Sequence, residues 1–433
     1  MPSPRARRPA ILGVALLASS MGIGKVFASD ENAATAGDSL GEIARVKDAT
    51  VSTGANLRSR WEWTESDEHQ VVGLHRLLAH ASAEGGALRG AVELGVHLAN
   101  PRGDLSSQTA RNGLDIQQAF VDFGDAQPGP ALRQRLRAGR QELVYEFLGW
   151  RDAPNVRRAW DGVRFTSRWS GWTSDLFVLR PVEPGAGAFD DSAHGSTHLA
   201  GAHLQSAEDS SLSFSAFFYD VAQARWQTSR TAAAARTSTL GGVASLRFNS
   251  YEASLGGAGQ RGHHGDRALE AWYGEAEIGR RFPVAHVSPK IALRVSAFSG
   301  GAPDARRVRT FNPLFPNYAY STEAALQTPS NLIKVAAIAE AGSEERLQWE
   351  YRAESLWRYS SRDAFYLPAG NAPLQPDSDR RWAGFQQQLK LTYAVKRDVR
   401  IVAAYVNFNA ARSLHAAGAS DVNFLLLQME MRL

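Results

Sequence analysis

From Asn56 to Glu65 the chain reads N-L-R-S-R-W-E-W-T-E, which as a strand places Leu57, Trp61 and Trp63 on one face and Arg58, Arg60, Glu62 and Thr64 on the other. The same script returns far along the chain. Leu347, Trp349, Tyr351 and Trp357 alternate with Arg346, Gln348, Glu350, Arg352, Glu354 and Arg358, and Leu425, Leu427, Met429, Met431 and Leu433 alternate with Gln428, Glu430 and Arg432. One such strand fits any half-buried sheet. A chain written this way throughout fits a transmembrane β-barrel, with apolar and aromatic side chains toward lipid and charged ones toward a wet lumen. The aromatic positions Trp61, Trp63, Trp349 and Trp357 then read as lipid-facing or interfacial girdle residues rather than sugar-stacking platforms.

The intervening segments repeat the pattern. Leu88, Gly90, Val92, Leu94, Val96 and Leu98 alternate with Arg89, Glu93 and His97; Leu132 and Leu136 with Arg133, Arg135 and Arg137; Ile291, Leu293, Val295 and Ala297 with Arg294 and Ser296; and Phe385, Leu389, Leu391 and Tyr393 with Gln386, Gln388, Lys390 and Thr392. In two stretches, Gly73 to Ser82 and Leu212 to Val221, both faces are partly apolar and the alternation assigns no facing. Glu84-Gly85-Gly86, Gln127-Pro128-Gly129-Pro130, Ser170-Gly171 and Lys396-Arg397-Asp398 mark short turns. Longer connections over 100–113, 181–196, 300–331 and 367–379 are expected on the extracellular side or folded into the lumen. With roughly 20 to 25 residues for a strand and its share of connections, the chain accommodates about 16 to 18 strands in one all-β, antiparallel barrel over 51–433.

The N-terminus supplies the address. Arg5, Arg7 and Arg8 precede an apolar run from Ala10 to about Met21, and Val26-Phe27-Ala28 ends in a small residue, the form of a secretory signal peptide over 1–28. A short polar lead over 29–50 follows. Removing Arg5, Arg7, Arg8 and Lys25 from the 48 basic residues balances them against the 44 acidic ones, so bulk charge gives no reason to expect a nucleic-acid partner. Lysine occurs only at 25, 47, 290, 334, 390 and 396. Nearly every cation is therefore arginine, the side chain suited to planar, two-pronged grips on carboxylates and phosphates. The chain has no Cys, which excludes disulfide staples and thiolate metal sites. An exported chain with many amphipathic strands, and no apolar run near the roughly 20 residues of a membrane helix past the signal, belongs in a Gram-negative outer membrane. Its surroundings there are outer-membrane lipid and lipopolysaccharide, and its assembly calls for the barrel-assembly machinery.

Other chemistries are less well supported. Gly257 to Gly262, G-A-G-Q-R-G, fits the dinucleotide pattern, but it opens onto His263-His264-Gly265-Asp266 and another strand rather than a helix. His263, His264 and Asp266 lack the spacing of a metal site, and neither a metal nor a cofactor is expected. A hydrolase would draw on His194-Gly195-Ser196 or His97, around which no nucleophile elbow appears, so no catalytic residue is assigned.

Between Leu114 and Phe165 the chain reads L-D-I-Q-Q-A-F-V-D-F, then L-R-A-G-R-Q-E-L from Leu136, then P-N-V-R-R-A-W-D-G-V-R-F from Pro154. This order resembles the alginate-export family of outer-membrane proteins, as do T-F-N-P-L-F-P-N-Y from Thr310, P-S-N-L-I from Pro329 and the closing strand from Asp421 to Leu433. The resemblance spans nearly the whole chain beyond the signal. It implies an 18-stranded monomeric barrel with an arginine-lined lumen, and it singles out Arg140, Arg157, Arg158 and Asp161 as matching patterned polar positions. The terminal Leu433 departs from the aromatic residue common at the end of such barrels.

The expected function is an outer-membrane channel, not an enzyme, whose lumen favours anions and passes an acidic, alginate-like polysaccharide outward or small organic anions inward. Arg58, Arg60, Arg133, Arg135, Arg137, Arg140, Arg157, Arg158, Arg294, Arg346 and Arg352 are the candidate anion contacts. Glu62, Glu93, Glu142, Asp161, Glu350 and Glu354 are candidates to pair with them and brace the wall, since unpaired like charges at close range are costly. The alternative is a non-conducting barrel that anchors an envelope secretion complex. An energy-coupled receptor is disfavoured because the lead is too short for a plug domain.

Overall fold

The computed structural model describes residues 42–46, 49–100, 110–124, 132–148, 155–193, 195–207, 211–284, 287–302, 306–315, 321–343, 346–368 and 371–433. The signal peptide, most of the polar lead, His194 and the Gln127–Pro130 turn lie outside them. The strands in chain order are β1 (Glu42–Val46), β2 (Ala49–Glu65), β3 (His69–Gly85), β4 (Leu88–Ala99), β5 (Asn112–Gly124), β6 (Arg133–Glu142), β7 (Ala159–Trp169), β8 (Trp172–Glu183), β9 (Ser192–Ala193), β10 (His198–Ser206), β11 (Leu212–Gln227), β12 (Ala232–Phe248), β13 (Tyr251–His264), β14 (Arg267–Arg281), β15 (Lys290–Phe298), β16 (Arg307–Val308), β17 (Leu332–Gly342), β18 (Leu347–Arg358), β19 (Trp382–Lys396), β20 (Val399–Ala410) and β21 (Val422–Arg432). Apart from the short β1, β9 and β16, each pairs antiparallel with the next, and β21 returns to β2, closing an 18-stranded barrel.

Closure leaves one overhang. β21 follows β2 down to Asn56↔Arg432, and backbone bonds join Ala55 to Leu433; below that, β1 pairs with the first residues of β2, from Val46↔Ala49 to Glu42↔Ser52. Strand structure therefore starts inside the polar lead, because covering an open strand edge takes only backbone donors and acceptors.

The alternation decides the facing as expected. On β15, Ile291, Leu293 and Val295 are exposed while Lys290, Arg294 and Ser296 are buried; on β18, Trp349 and Tyr351 are exposed while Arg352, Glu354 and Arg358 are buried. The two ambiguous stretches resolve as well. Leu74, Arg76 and Leu78 face inward against an outward Leu77, and Phe217, Tyr219 and Val221 face inward against outward Phe214 and Phe218. Phe217, Tyr219 and Val221 are not stranded in water, because apolar loop residues fold in to meet them.

At the end holding the chain termini the connections are short, for example 86–87, 170–171, 249–250 and 397–398. The opposite end carries 143–158, 184–197, 299–331 and 359–381. Short turns mark the periplasmic side and long loops the extracellular one. A lipid-facing cation tests the register directly. Leu389→Lys, on the outer face of β19, is expected to cost about 2 to 4 kcal/mol in a reversible unfolding titration, whereas Thr392→Lys, in the inward phase of the same strand, costs about 1 kcal/mol or less.

Candidate functional site

The inside of the barrel has an apolar part and an ionic part. The apolar part lies toward the extracellular end, where Phe177, Leu179, Leu199, Phe217, Tyr219, Tyr273, Phe298, Leu332 and Leu356 from the wall pack against Tyr145, Leu148, Phe311, Leu314, Phe315 and Phe365 from the long loops. Phe147 sits edge-on to Phe217, Tyr273 and Phe311 with ring centroids 5.1 to 6.1 Å away. Backbone pairing of Leu148 with Phe315 ties the 143–148 and 308–315 segments together. Asn312 fastens the second segment to three strands: its amide donates to Gln223 Oε1 at 2.7 Å and Thr237 Oγ1 at 3.1 Å, its N–H donates to Gln260 Oε1, and its carbonyl accepts from Gln260 Nε2. The first is fastened by Glu146, which accepts from Ser215 Oγ at 2.7 Å and lies 3.0 Å from His203 Nε2.

The ionic part is built mainly from pairs. Arg60 binds Glu62 at 2.5 Å and reaches Glu323 at 3.5 Å, and Lys390 meets the other oxygen of Glu323 at 2.6 Å. Burial alone would raise the Glu323 carboxyl, but Lys390 and Arg60 hold it down at about 2. Arg352 lies between Glu350 at 3.2 Å and Glu354 at 3.6 Å and donates to the Ser321 carbonyl. Arg294 grips Glu277, which also receives Lys290 at 3.0 Å. Arg137 forms a fork with Asp122 at 2.7 and 3.0 Å and lies over the Phe120 ring. Arg157 reaches Glu142 at 3.6 Å, and Gln118 donates to Glu93 at 3.3 Å. Burying charge is costly, and these neighbours offset the cost by completing each other's hydrogen bonds.

Several expected residues fall elsewhere. Arg346 is exposed in the turn between β17 and β18, off the wall. Arg133 and Arg135 do share the inward phase of β6 with Arg137, opposite Arg168, Thr166 and Arg164 of β7. Arg140, three residues beyond Arg137, is out of that phase; it forks onto Asp161 at 2.8 and 3.1 Å and donates to the Ile116 carbonyl. Trp160 is fully buried in the apolar part, edge-on to Phe315. The G-A-G-Q-R-G run lies in mid-strand on β13, with His264 buried against the Trp226 carbonyl and His263 exposed, so the two histidines do not converge. Residues that pattern reading missed include Arg76 and Asn155. Asn155 receives Arg58 on its side chain at 3.0 Å and Arg76 on its carbonyl, and donates to three backbone carbonyls. Arg158 stands 4.9 Å over the ring of Phe315, at the border of the ionic and apolar parts.

The G-R-Q and W-D-G segments are one cross-strand unit. Arg140 is in register with Asp161 and Gly139 with Gly162, and both glycines have positive φ, 126° and 153°. A Cβ on either would stand within 2.3 Å of a neighbouring strand's carbonyl oxygen, Ala119 for Gly139 and Val178 for Gly162. Only glycine fits such an approach. The pattern of the alginate export family matches residues 51–428, the entire wall but for its first and last residues. The chain belongs to the alginate export family.

Solved structures of similar fold include the outer membrane protein OpdK of Pseudomonas aeruginosa. Pseudomonas aeruginosa OccD3 (OpdP) aligns with a TM-score of 0.59 at 11% identity, covering 91% of this chain and 93% of that one. A structure of P. aeruginosa OpdK with vanillate aligns with a TM-score of 0.58 at 11% identity over 90% and 100%. Acinetobacter baumannii OccAB4 aligns with 0.57 at 9% over 88% and 98%. No curated protein sequence matches. Family and fold together make this alginate export family member an outer-membrane transport channel and point to a non-enzymatic protein.

At the extracellular rim, Asp115, Asp190 and Asp191 bring carboxylate oxygens within 4.8 Å of one another. Burial and Asp115 push the Asp191 carboxyl up to about 6, against the Gly185 N–H, Asn112 and Arg140, which favour its ionised form. A folded value above the ordinary 3.8 means that the folded state holds more protons between the two values. Docking of residues 184–193 is therefore most stable at low pH and weakens as pH rises through about 6. Hydrogen exchange at the Gly185 and Phe189 amides, corrected for intrinsic rate, should show more protection at pH 4.5 than at 7. Asp191→Asn should remove that difference.

The Arg137–Asp122 fork, about 95% buried on both sides, makes a second test. Arg137→Leu should cost about 3 to 5 kcal/mol by stranding the carboxylate, and adding Asp122→Leu should return most of it. Denaturant unfolding of both variants measures the difference.

Proposed function

We propose that this barrel is a narrow, anion-favouring channel that admits small organic carboxylates with an apolar body. The observation that carries the reading is the placement of Arg158 over Phe315, where loop residues 155–158 join the arginines around Asn155 to the aromatic cluster. A guanidinium beside an aromatic face suits a carboxylate on a ring, since one group takes the charge through paired hydrogen bonds and the other takes the apolar body. OpdK, similar in fold, has been solved with vanillate, a carboxylate of this kind. A hydrated polyuronate suits the interior less well, because the 143–148 and 308–315 segments are packed and hydrogen-bonded inside the wall.

Arg60, Arg137, Arg140, Arg294 and Arg352 are assigned to bracing, and Arg157 and Arg158, on the loop segment that borders the aromatic cluster, to guiding the anion. Planar-bilayer recording separates these roles. The wild-type pore should favour anions, and an aryl carboxylate such as benzoate should reduce its conductance at concentrations where uronate oligomers do not. Arg157→Glu with Arg158→Glu should lower the anion-to-cation permeability ratio about threefold or more, since charge at a constriction sets selectivity. Block by uronate oligomers alone would return the polymer-export reading. A wild-type barrel that inserts without conducting would favour the scaffold.

A further inference from the structure

The outer surface of β11 to β14 breaks the rule that a barrel shows lipid only apolar side chains. Strand register sorts its outward residues into rows. The row nearest the extracellular rim runs Ala222, Arg236, His263, Ala268, and continues to Arg307, because β16 adds to β14 in parallel register. The next runs Asp220, Ser238, Arg261, Glu270; the next Phe218, Leu240, Gly259, Trp272; and the next Ala216, Gly242, Gly257, Gly274. Arg236, Arg261, His263, Glu270 and Arg307 are all exposed, and so are Phe218, Leu240 and Trp272 below them.

The charged rows lie just under the connections 228–231 and 265–266, on the side of the long loops, so they face the headgroup depth of the outer leaflet. A lipid-facing arginine costs about 2 to 4 kcal/mol at the bilayer midplane and about 0 to 1 near the interface, so the patch sits where charge is tolerated. It is also organised. Arg236 binds Asp220 at 2.8 Å, Ser238 donates to the same carboxylate at 2.8 Å, and Arg307 binds Glu270 at 3.0 Å. Three arginines and a histidine face two acids, which leaves a surplus of positive charge beside hydroxyl and carboxylate groups able to bond sugar hydroxyls. Directly beneath, Gly259 opens a recess between Leu240 and Trp272, where an added Cβ would meet nothing within 4 Å, and the small residues of the row below continue it.

We infer that this face is a docking site for lipopolysaccharide, the phosphorylated glycolipid of the outer leaflet. A phosphate sits on Arg261 with Arg236 and His263, the sugar meets Asp220, Ser238 and Glu270, and an acyl chain runs down the recess past Gly259 to Gly257. Charge complementarity selects this occupant: guanidinium groups pair with phosphate oxygens through two parallel bonds, and only a lipid presents phosphate directly above hydrocarbon at this depth.

Native mass spectrometry of the full chain in detergent tests the site, using rough-type lipopolysaccharide and the same material stripped of its phosphates. Wild type should retain the intact glycolipid at least tenfold better than the stripped form, and Arg236→Gln with Arg261→Gln should abolish that preference while heat-modifiable mobility stays unchanged. Gly259→Phe, which fills the recess without touching a charge, should weaken retention of both forms. Equal retention of intact and stripped glycolipid by wild type overturns the proposal, as does a folded double variant that keeps the preference. Should the double variant not fold, the wild-type comparison and Gly259→Phe decide.

Discussion

Every feature of this molecule follows from the fact that hydrocarbon offers no partner to a peptide N–H or C=O. A sheet can cross a bilayer only if each strand finds a neighbour on both sides, so the first wall strand must meet the last. The β2–β21 pairing does this, and β1 covers the stretch of β2 that β21 does not reach. Once the sheet is closed, the two-residue period of a strand has a fixed meaning. Odd and even positions look at lipid and lumen, and a one-residue slip would put Arg58 or Arg294 into hydrocarbon.

That constraint explains what could be read from the chain and what could not. Alternation depends on each residue's own polarity, so the facing of Ile291 to Ser296 or of Trp349 to Glu354 was legible. It failed at Leu212 to Val221 because Phe217, Tyr219 and Val221 meet apolar loop residues inside, and an apolar residue reads the same whether it meets lipid or a loop. The loop partners lie far off in sequence: Asn312 reaches Gln223, Thr237 and Gln260. One local signal existed, the apolar T-F-N-P-L-F stretch within a long connection, since a loop left in water has no use for Phe311, Leu314 and Phe315.

The arginines show the same limit. Phase places Arg58, Arg60, Arg137, Arg294 and Arg352 on the buried face but not Arg140 or Arg346, and whether one braces or binds depends on the acid across the strand or across the lumen. Arg60 is held partly by Glu323, a loop residue, and Arg352 partly by the Ser321 carbonyl. Arg140 stood out because its motif is strongly patterned, yet the pattern records the fit of Gly139 against Gly162 and the fork onto Asp161, both structural demands. A patterned polar residue in a barrel wall can thus mark the joint that permits closure rather than the path through it.

The two candidate cargoes make unequal demands on the interior. A polymer wide enough to need the whole lumen would have to displace the 308–315 segment, re-exposing Phe311, Leu314 and Phe315 and breaking the bonds of Asn312 to the wall. At about 1.5 to 3 kcal/mol for each side chain, the apolar loss alone is roughly 5 to 9 kcal/mol. A spontaneously open state would then be populated on the order of one part in 10³ or less, at 1.4 kcal/mol per factor of ten. Export would need a partner or the polymer itself to supply that energy. On the proposed reading a small carboxylate would pass between the arginines and the aromatic cluster with the segment in place, so the packed interior that would obstruct the larger cargo would give the smaller one its apolar surface.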